Sequence, residues 1–373
     1  MSARTRLFKL KRPYDNGESD ALFLKAMQEN CAFQYENCPE YRKILDVKGF
    51  SPKDVKEYKD LERLPFLPTL YLKHHAVFSM TQRRMLIKAT SSGTSGTTSR
   101  MGYNFMSLYR GLRMILSLGK YHRLFSLKPV HYLILGYEPN KANKTVISKT
   151  SYGFTYFAPA LSRDYALRYT KDGYKLDLEH LKERLIKFSR SKHPVRTAGF
   201  PAYTYFLLKQ MKEEGVRVTL PKGSVLTLGG GWKQFYAERV EKKEFYALAK
   251  EVLGIEESNI IEFFGAAEHL VLYVDCKCHH FHVPVYSRVL IRDVDTLMPV
   301  PDGEIGLINL MTPEVDSVPI LSIMTDDLGR LHREKCPCGV DSPWLEIIGR
   351  VGIRDIVTCA AGADKLLTGG DGK

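Results

Sequence analysis

Three features of the sequence predict an α/β fold with a largely parallel sheet. Between residues 130 and 263, short apolar runs of strand type alternate with amphipathic helical patterns, the signature of strand–helix–strand units. From Val271 onward the pattern changes to strands and tight turns, which predicts a β-rich subdomain from about 270 to 348. With 373 residues, 44% of them hydrophobic and 26% charged, the chain exceeds one compact core of ordinary size and has the composition of a globular protein.

Ser19-Asp20 followed by Leu22, Leu24, Met27 and Tyr35 predicts one amphipathic helix over 19–45. Pro65 and Pro68 make 61–69 a non-helical connector. Residues 85–89 read as a strand and 106–125 as a helix, so the stretch between them is expected to be a strand-to-helix loop. Strands are then expected at 130–135, 195–198, 224–228 and 259–263, with helices at 178–188, 202–214 and 236–253 between them. Pro301-Asp302-Gly303 marks a turn between strands at 283–293 and 305–310. No internal repeat is present.

The balance of 55 Lys+Arg against 42 Asp+Glu, a formal +13, should attract anions. The basic residues are spread along the chain without a basic and aromatic stripe, so a phosphate-bearing small substrate is expected, and no nucleic acid. No apolar run reaches the roughly 18 to 20 residues of a membrane span, and the basic start has no hydrophobic signal core. A cytoplasmic location is the expectation. Seven cysteines, an odd number, point to thiols and metal ligands over a disulfide framework.

The strongest local signal is 90–99, ten consecutive Ser, Thr or Gly residues. Hydroxyls and closely approaching backbone N–H groups suit a loop that wraps phosphate oxygens; a flexible linker is the bland alternative. A Walker A loop needs Lys after its last glycine, and Thr97 stands there, which excludes a P-loop kinase or GTPase. Gly229-Gly230-Gly231 closes an expected strand, where backbone could lie against a planar base or simply turn. Glu268, in Phe264-Gly265-Ala266-Ala267-Glu268, reads as a surface carboxylate suited to Mg²⁺ or as a solvated residue on a following helix. Thr325-Asp326-Asp327 ends another strand with acids that could accept from ribose hydroxyls or cap a turn.

The order Ser/Thr/Gly loop, Gly-Gly-Gly, aromatic-Gly-x-x-Glu, Thr-x-Asp and Gly349-Arg350 resembles the adenylate-forming superfamily of acyl-CoA synthetases and phenylacetate–CoA ligases. Phe66-Leu67-Pro68-Thr69, Gly199-Phe200-Pro201, Trp232-Lys233, His282-Val283-Pro284 and Pro301-Asp302-Gly303 bring it closest to the acyl-protein synthetases of bacterial bioluminescence operons, the LuxE type. The resemblance implies the N-terminal-domain fold of adenylate-forming enzymes over 1–348 and a very short C-terminal segment, 349–373. It implies ATP-dependent activation of a carboxylic acid, a long-chain fatty acid for the LuxE type, to acyl-AMP, followed by transfer to a thiol. Ser91, Ser92, Gly93, Thr94, Ser95, Gly96 and Thr97 would wrap the phosphates, and Gly229, Gly230 and Gly231 would flank adenine or acyl group. Glu268 would hold Mg²⁺, Asp327 the ribose, and Arg350 belongs to the nucleotide site. The superfamily's catalytic lysine comes from a C-terminal domain, whereas this tail has only Lys365 and Lys373, at positions that match none.

Cys359 fits by position the cysteine that carries the acyl group in the LuxE type, with an acyl-CoA or fatty-acid reductase as the onward partner. A thiol suits that task because its thioester stays activated. Coenzyme A or a carrier protein as acceptor remains a second reading, and a zinc-bearing nucleotide-binding scaffold module a third. Cys276, Cys278, Cys336 and Cys338, with His282 or His280 able to replace a thiol, form two ligand-rich turns expected to hold a structural Zn²⁺. Unpaired thiols are the alternative there, and the luminescence enzymes lack this feature.

Overall fold

The structure is a computed structural model and describes residues 1–91, 98–140, 143 and 145–350. The chain opens with three helices, α1 (Ala3–Leu7), α2 (Asn16–Asn37) and α3 (Pro39–Val47), then β1 (Leu67–Pro68) and α4 (Thr69–His74). The helix expected over 19–45 is therefore two helices. Cys38 is extended and Pro39, with no N–H to donate, opens α3 at its first position, where a helix tolerates proline.

β2 (Ile87–Thr90) and β3 (Arg100–Tyr103) form a two-stranded antiparallel ribbon. The hydroxyl-rich stretch thus joins two strands, not a strand to a helix. β3 is four residues long and contains a glycine, which hid it from pattern reading. α5 (Phe105–Tyr121) follows at once, capped by Asn104, whose side chain accepts from the Ser107 N–H.

β4 (Val130–Tyr137), α6 (Val146–Phe154), β5 (Ala160–Thr170), β6 (Gly173–Leu176), α7 (Leu178–Ser189) and β7 (Val195–Gly199) come next. Then come α8 (Pro201–Glu213), β8 (Val225–Gly229), α9 (Lys242–Leu253), β9 (Ile260–Ala266) and β10 (His269–Val274). Their strands make a seven-stranded sheet in the order β10-β9-β8-β7-β4-β5-β6. The four inner pairings are parallel and the two edge pairings antiparallel. Leu133, Leu135, Leu226 and Leu228 from the sheet bury one core against Leu185, Leu208 and Val252 of α7, α8 and α9.

The remaining strands are β11 (Phe281–His282), β12 (Arg288–Arg292), β13 (Gly306–Met311), β14 (Ser322–His332) and β15 (Trp344–Arg350). They form a second sheet, β11-β15-β14-β13-β12, with β1 added in parallel to β14. The N-terminal helices cover it: Phe23, Met27 and Leu45 share a core with Ile308, Leu310 and Ile323. Where one strand was expected over 283–293, only 288–292 pairs. Val283, Val285 and Tyr286 are buried all the same. No helix among the described residues is long and apolar enough to cross a membrane.

Candidate active site

The ribbon of β2 and β3 is tied off where the hydroxyl-rich loop leaves it. The Ser91 N–H donates to the Ser99 carbonyl at 3.1 Å, and the Ser99 N–H donates to the Ser91 hydroxyl at 2.9 Å. The Ser99 hydroxyl donates in turn to Glu268, and both side chains are buried. Tyr103 of β3 adds a bond from its hydroxyl to the Ala267 carbonyl at 3.2 Å. The neck of the loop therefore rests on the turn between β9 and β10. Ser92, Gly93, Thr94, Ser95, Gly96 and Thr97 lie outside the described residues.

Glu268 departs from the surface carboxylate expected of it: it is 5% exposed. β9 runs into a tight turn and an antiparallel partner here, not a helix, and the turn presses Glu268 against β3. His269 beside it is wholly buried, and desolvation pulls its pKa down to about 3, so it is neutral. Its Nε2 lies 3.2 Å from the Ser287 hydroxyl.

A second group of charged residues gathers at the other end of the β14–β15 pair. Asp327 stands opposite Arg350 in register, with Arg350 Nε 3.8 Å from its Oδ1. Asp326 is the more heavily engaged acid. It accepts from the Thr69 hydroxyl at 3.1 Å, and Arg350 Nη2 and Lys73 Nζ lie 3.4 Å and 3.7 Å from Oδ2. Sequence reading missed Lys73 as a member of this group. Its signal was its place one helical turn after Thr69, which puts both side chains on one face of α4.

Gly229 pairs with Phe263 at the C-terminal end of β8. Gly230 follows with φ +82°, and a Cβ there would come within 2.9 Å of the Phe200 ring. The end of the strand is thus packed tightly by backbone against an aromatic. Under the same sheet lies a small cavity of about 40 Å³, lined by Tyr132, Phe154, Phe157, Ala198, Thr227 and Phe263, with Arg123 and Arg196 toward the start of the strands. Phe154 and Phe157 face this space. Tyr152 and Tyr156 instead flank the guanidinium of Arg163, and Phe200 and Tyr203 pack edge to face with each other.

The paired cysteines converge as well. Ligand atoms of Cys276, His282, Cys336 and Cys338 all lie within 4.8 Å of one another. Cys278, one of the four thiols expected as ligands, is outside this group, and His282 is inside it. The Cys278 backbone N–H points at the Cys276 sulfur at 3.4 Å, which turns residue 278 into a prop for its neighbour. Cys359 lies outside the described residues.

The fold and the family match together are those of an adenylate-forming ligase. The family model for acyl-protein synthetase, LuxE, matches residues 9–368, and the chain belongs to that family. It is 27% identical over 339 residues to the long-chain-fatty-acid–luciferin-component ligase of Aliivibrio fischeri, covering 90% of this chain and 86% of the relative. It is 24% identical over 332 residues to a phenylacetate–coenzyme A ligase of Thermus thermophilus, covering 85% of this chain and 67% of the relative. Among solved structures, a 2-hydroxyisobutyryl-CoA ligase in complex with its acyl-AMP superposes with a TM-score of 0.68 at 16% identity, covering 91% of this chain and 70% of the other.

Proposed function

We propose that the protein activates a long-chain fatty acid with ATP and carries the acyl group on its own cysteine. A carboxylate oxygen attacks the α-phosphorus and pyrophosphate leaves. The Cys359 thiolate then attacks the acyl carbonyl, AMP leaves, and the thioester passes to a reductase partner. On this reading residues 1–348 are the adenylate-forming domain and 349–373 a short segment that brings Cys359.

The observation that carries the reading is the closure of the hydroxyl-rich loop onto Glu268 through Ser99. A carboxylate and a hydroxyl at the neck of such a loop are the hard oxygen donors that magnesium takes. Bound there, Mg²⁺ would neutralise phosphate charge as pyrophosphate departs. Ser91 and Ser99 tie the two ends of the loop together beneath the place proposed for the triphosphate. Asp327 would accept from the ribose. Lys73 and Arg350, gathered on Asp326, supply positive charge from within the described chain, where the superfamily uses a lysine of a separate domain. Gly229 to Gly231 would lie along adenine or the acyl group.

The phenylacetate–coenzyme A ligase relatives favour coenzyme A as a second possible acceptor. Radiolabelled fatty acid with ATP and Mg²⁺ separates the two. Label that survives denaturation, is released by hydroxylamine and is absent from Cys359→Ser supports the cysteine route. Label recovered only on added coenzyme A overturns it. Absence of acid-dependent exchange of pyrophosphate into ATP across fatty acids of all lengths would remove activation itself.

A further inference from the structure

We infer that Cys276, His282, Cys336 and Cys338 bind one structural zinc ion that fastens the two sheets together. This stands apart from the proposed acyl chemistry. Cys276 follows β10 at the edge of the seven-stranded sheet. His282 belongs to β11, and Cys336 and Cys338 sit in the turn between β14 and β15, all in the second sheet.

The spacing fits a metal. A zinc–sulfur bond of about 2.3 Å in a regular tetrahedron puts neighbouring sulfurs roughly 3.8 Å apart. The Cys276 and Cys336 sulfurs are 3.8 Å apart. That is well beyond a disulfide bond of about 2.0 Å. Nε2 of His282 is 3.2 Å from the Cys338 sulfur.

The sulfurs also sit among hydrogen-bond donors. Backbone N–H groups of Cys278, Cys338 and Val340 point at the sulfurs of Cys276, Cys336 and Cys338, at 3.4, 3.5 and 3.4 Å. Each cysteine pair opens a tight turn whose sharp corner, His279 at φ +56° or Gly339 at φ +89°, aims those amides inward. The His282 Nδ1 lies 3.0 Å from the Ser342 carbonyl, so it carries the proton and Nε2 presents its lone pair to the cysteines. His280 sets its Nδ1 3.3 Å from the Cys336 sulfur, as a further donor outside the four ligands. Three soft sulfurs and one imidazole select zinc over magnesium or calcium. Four protein ligands leave no open position, so the ion is structural and does no chemistry on substrate.

The consequence is mechanical. The zinc holds the tip of the β14–β15 hairpin, and the paired strands run from there to Asp327 and Arg350 at its base.

Elemental analysis of the purified full-length chain should find about one equivalent of zinc. Cys336→Ser and Cys338→Ser should each fall below half an equivalent, and Cys278→Ser should keep the full amount. Should those variants fail to fold, protein produced in zinc-depleted medium with cobalt provides an independent reading: tetrahedral cobalt bands with sulfur-to-cobalt charge transfer. Three results would overturn the assignment: zinc below half an equivalent together with no tetrahedral cobalt signature, a Cys276–Cys336 disulfide in protein alkylated before isolation, or loss of metal from Cys278→Ser as complete as from Cys338→Ser.

Discussion

Glu268 meets two demands at once. As the buried acceptor of the Ser99 hydroxyl it holds the neck of the hydroxyl-rich loop, and as a carboxylate it is the proposed magnesium ligand. Two substitutions separate these roles. Glu268→Gln keeps the size and an acceptor oxygen but removes the charge, so pyrophosphate exchange should fall about 10²-fold or more with a melting temperature close to the parent's. Glu268→Ala should lose activity equally and also cost about 1–3 kcal/mol, because Ser99 is left buried without its partner. Thermal melting beside the exchange assay checks both. Exchange within a few-fold of the parent in Glu268→Gln would remove the carboxylate from the chemistry. Sequence order pointed to Glu268 through its spacing from Phe264 and Gly265. Its burial was hidden because the residue that covers it, Ser99, is far away in the chain.

At the scale of elements, the turn after β8 is the sharpest test of backbone geometry. Gly230 combines a left-handed backbone with a Phe200 ring where a Cβ would stand. Gly230→Ala should therefore cost about 1–3 kcal/mol. Thermal melting of the variant beside the parent measures the effect. The helices and strands from 178 to 263 were legible because each carries a single clear period, helical for α7, α8 and α9 and continuous apolar for β7, β8 and β9. β5 was not. Its 160–170 stretch places Arg163, Asp164 and Arg168 among apolar residues, and only its middle is fully buried. The α2–α3 break was marked by Pro39 but masked by apolar residues that keep a helical rhythm on both sides. The glycines, the aspartates and the cysteine turns stood out in the sequence as candidates. Lys73 and Thr69 did not, because their partner Asp326 lies across the fold.

Over the whole molecule, the N-terminal helices, α5 and the segment between β13 and β14 meet around a buried cluster of charge. Arg4 and Arg110 both pair with Asp316, whose carboxyl they hold below its usual range against the pull of burial. Glu314 lies beside them fully buried, and neither of its carboxyl oxygens has a hydrogen-bond partner among the described residues. Desolvation pushes its pKa from 4.5 up to about 8, with Arg110 only partly offsetting it. The folded protein thus keeps this proton at pH values where the unfolded chain has lost it. Stability should then be lost as pH rises from about 4.5 toward about 8. Glu314→Gln, neutral at every pH, should raise the melting temperature by several degrees near pH 8 and change it little near pH 4. A pH series of melting curves for the two proteins decides it: equal shifts at both ends would mean that Glu314 is ionised in the folded state.

The hairpin that ends in Cys336 and Cys338 also carries Trp344, whose indole lies between the imidazoles of His280 and His332, at 3.7 and 3.8 Å and within 8° of parallel. The chain has just two tryptophans. Ultraviolet emission from one of them is therefore exposed to quenching by its sandwiching rings, and the protein contains its own optical gauge of whether that corner is assembled, with no dye attached.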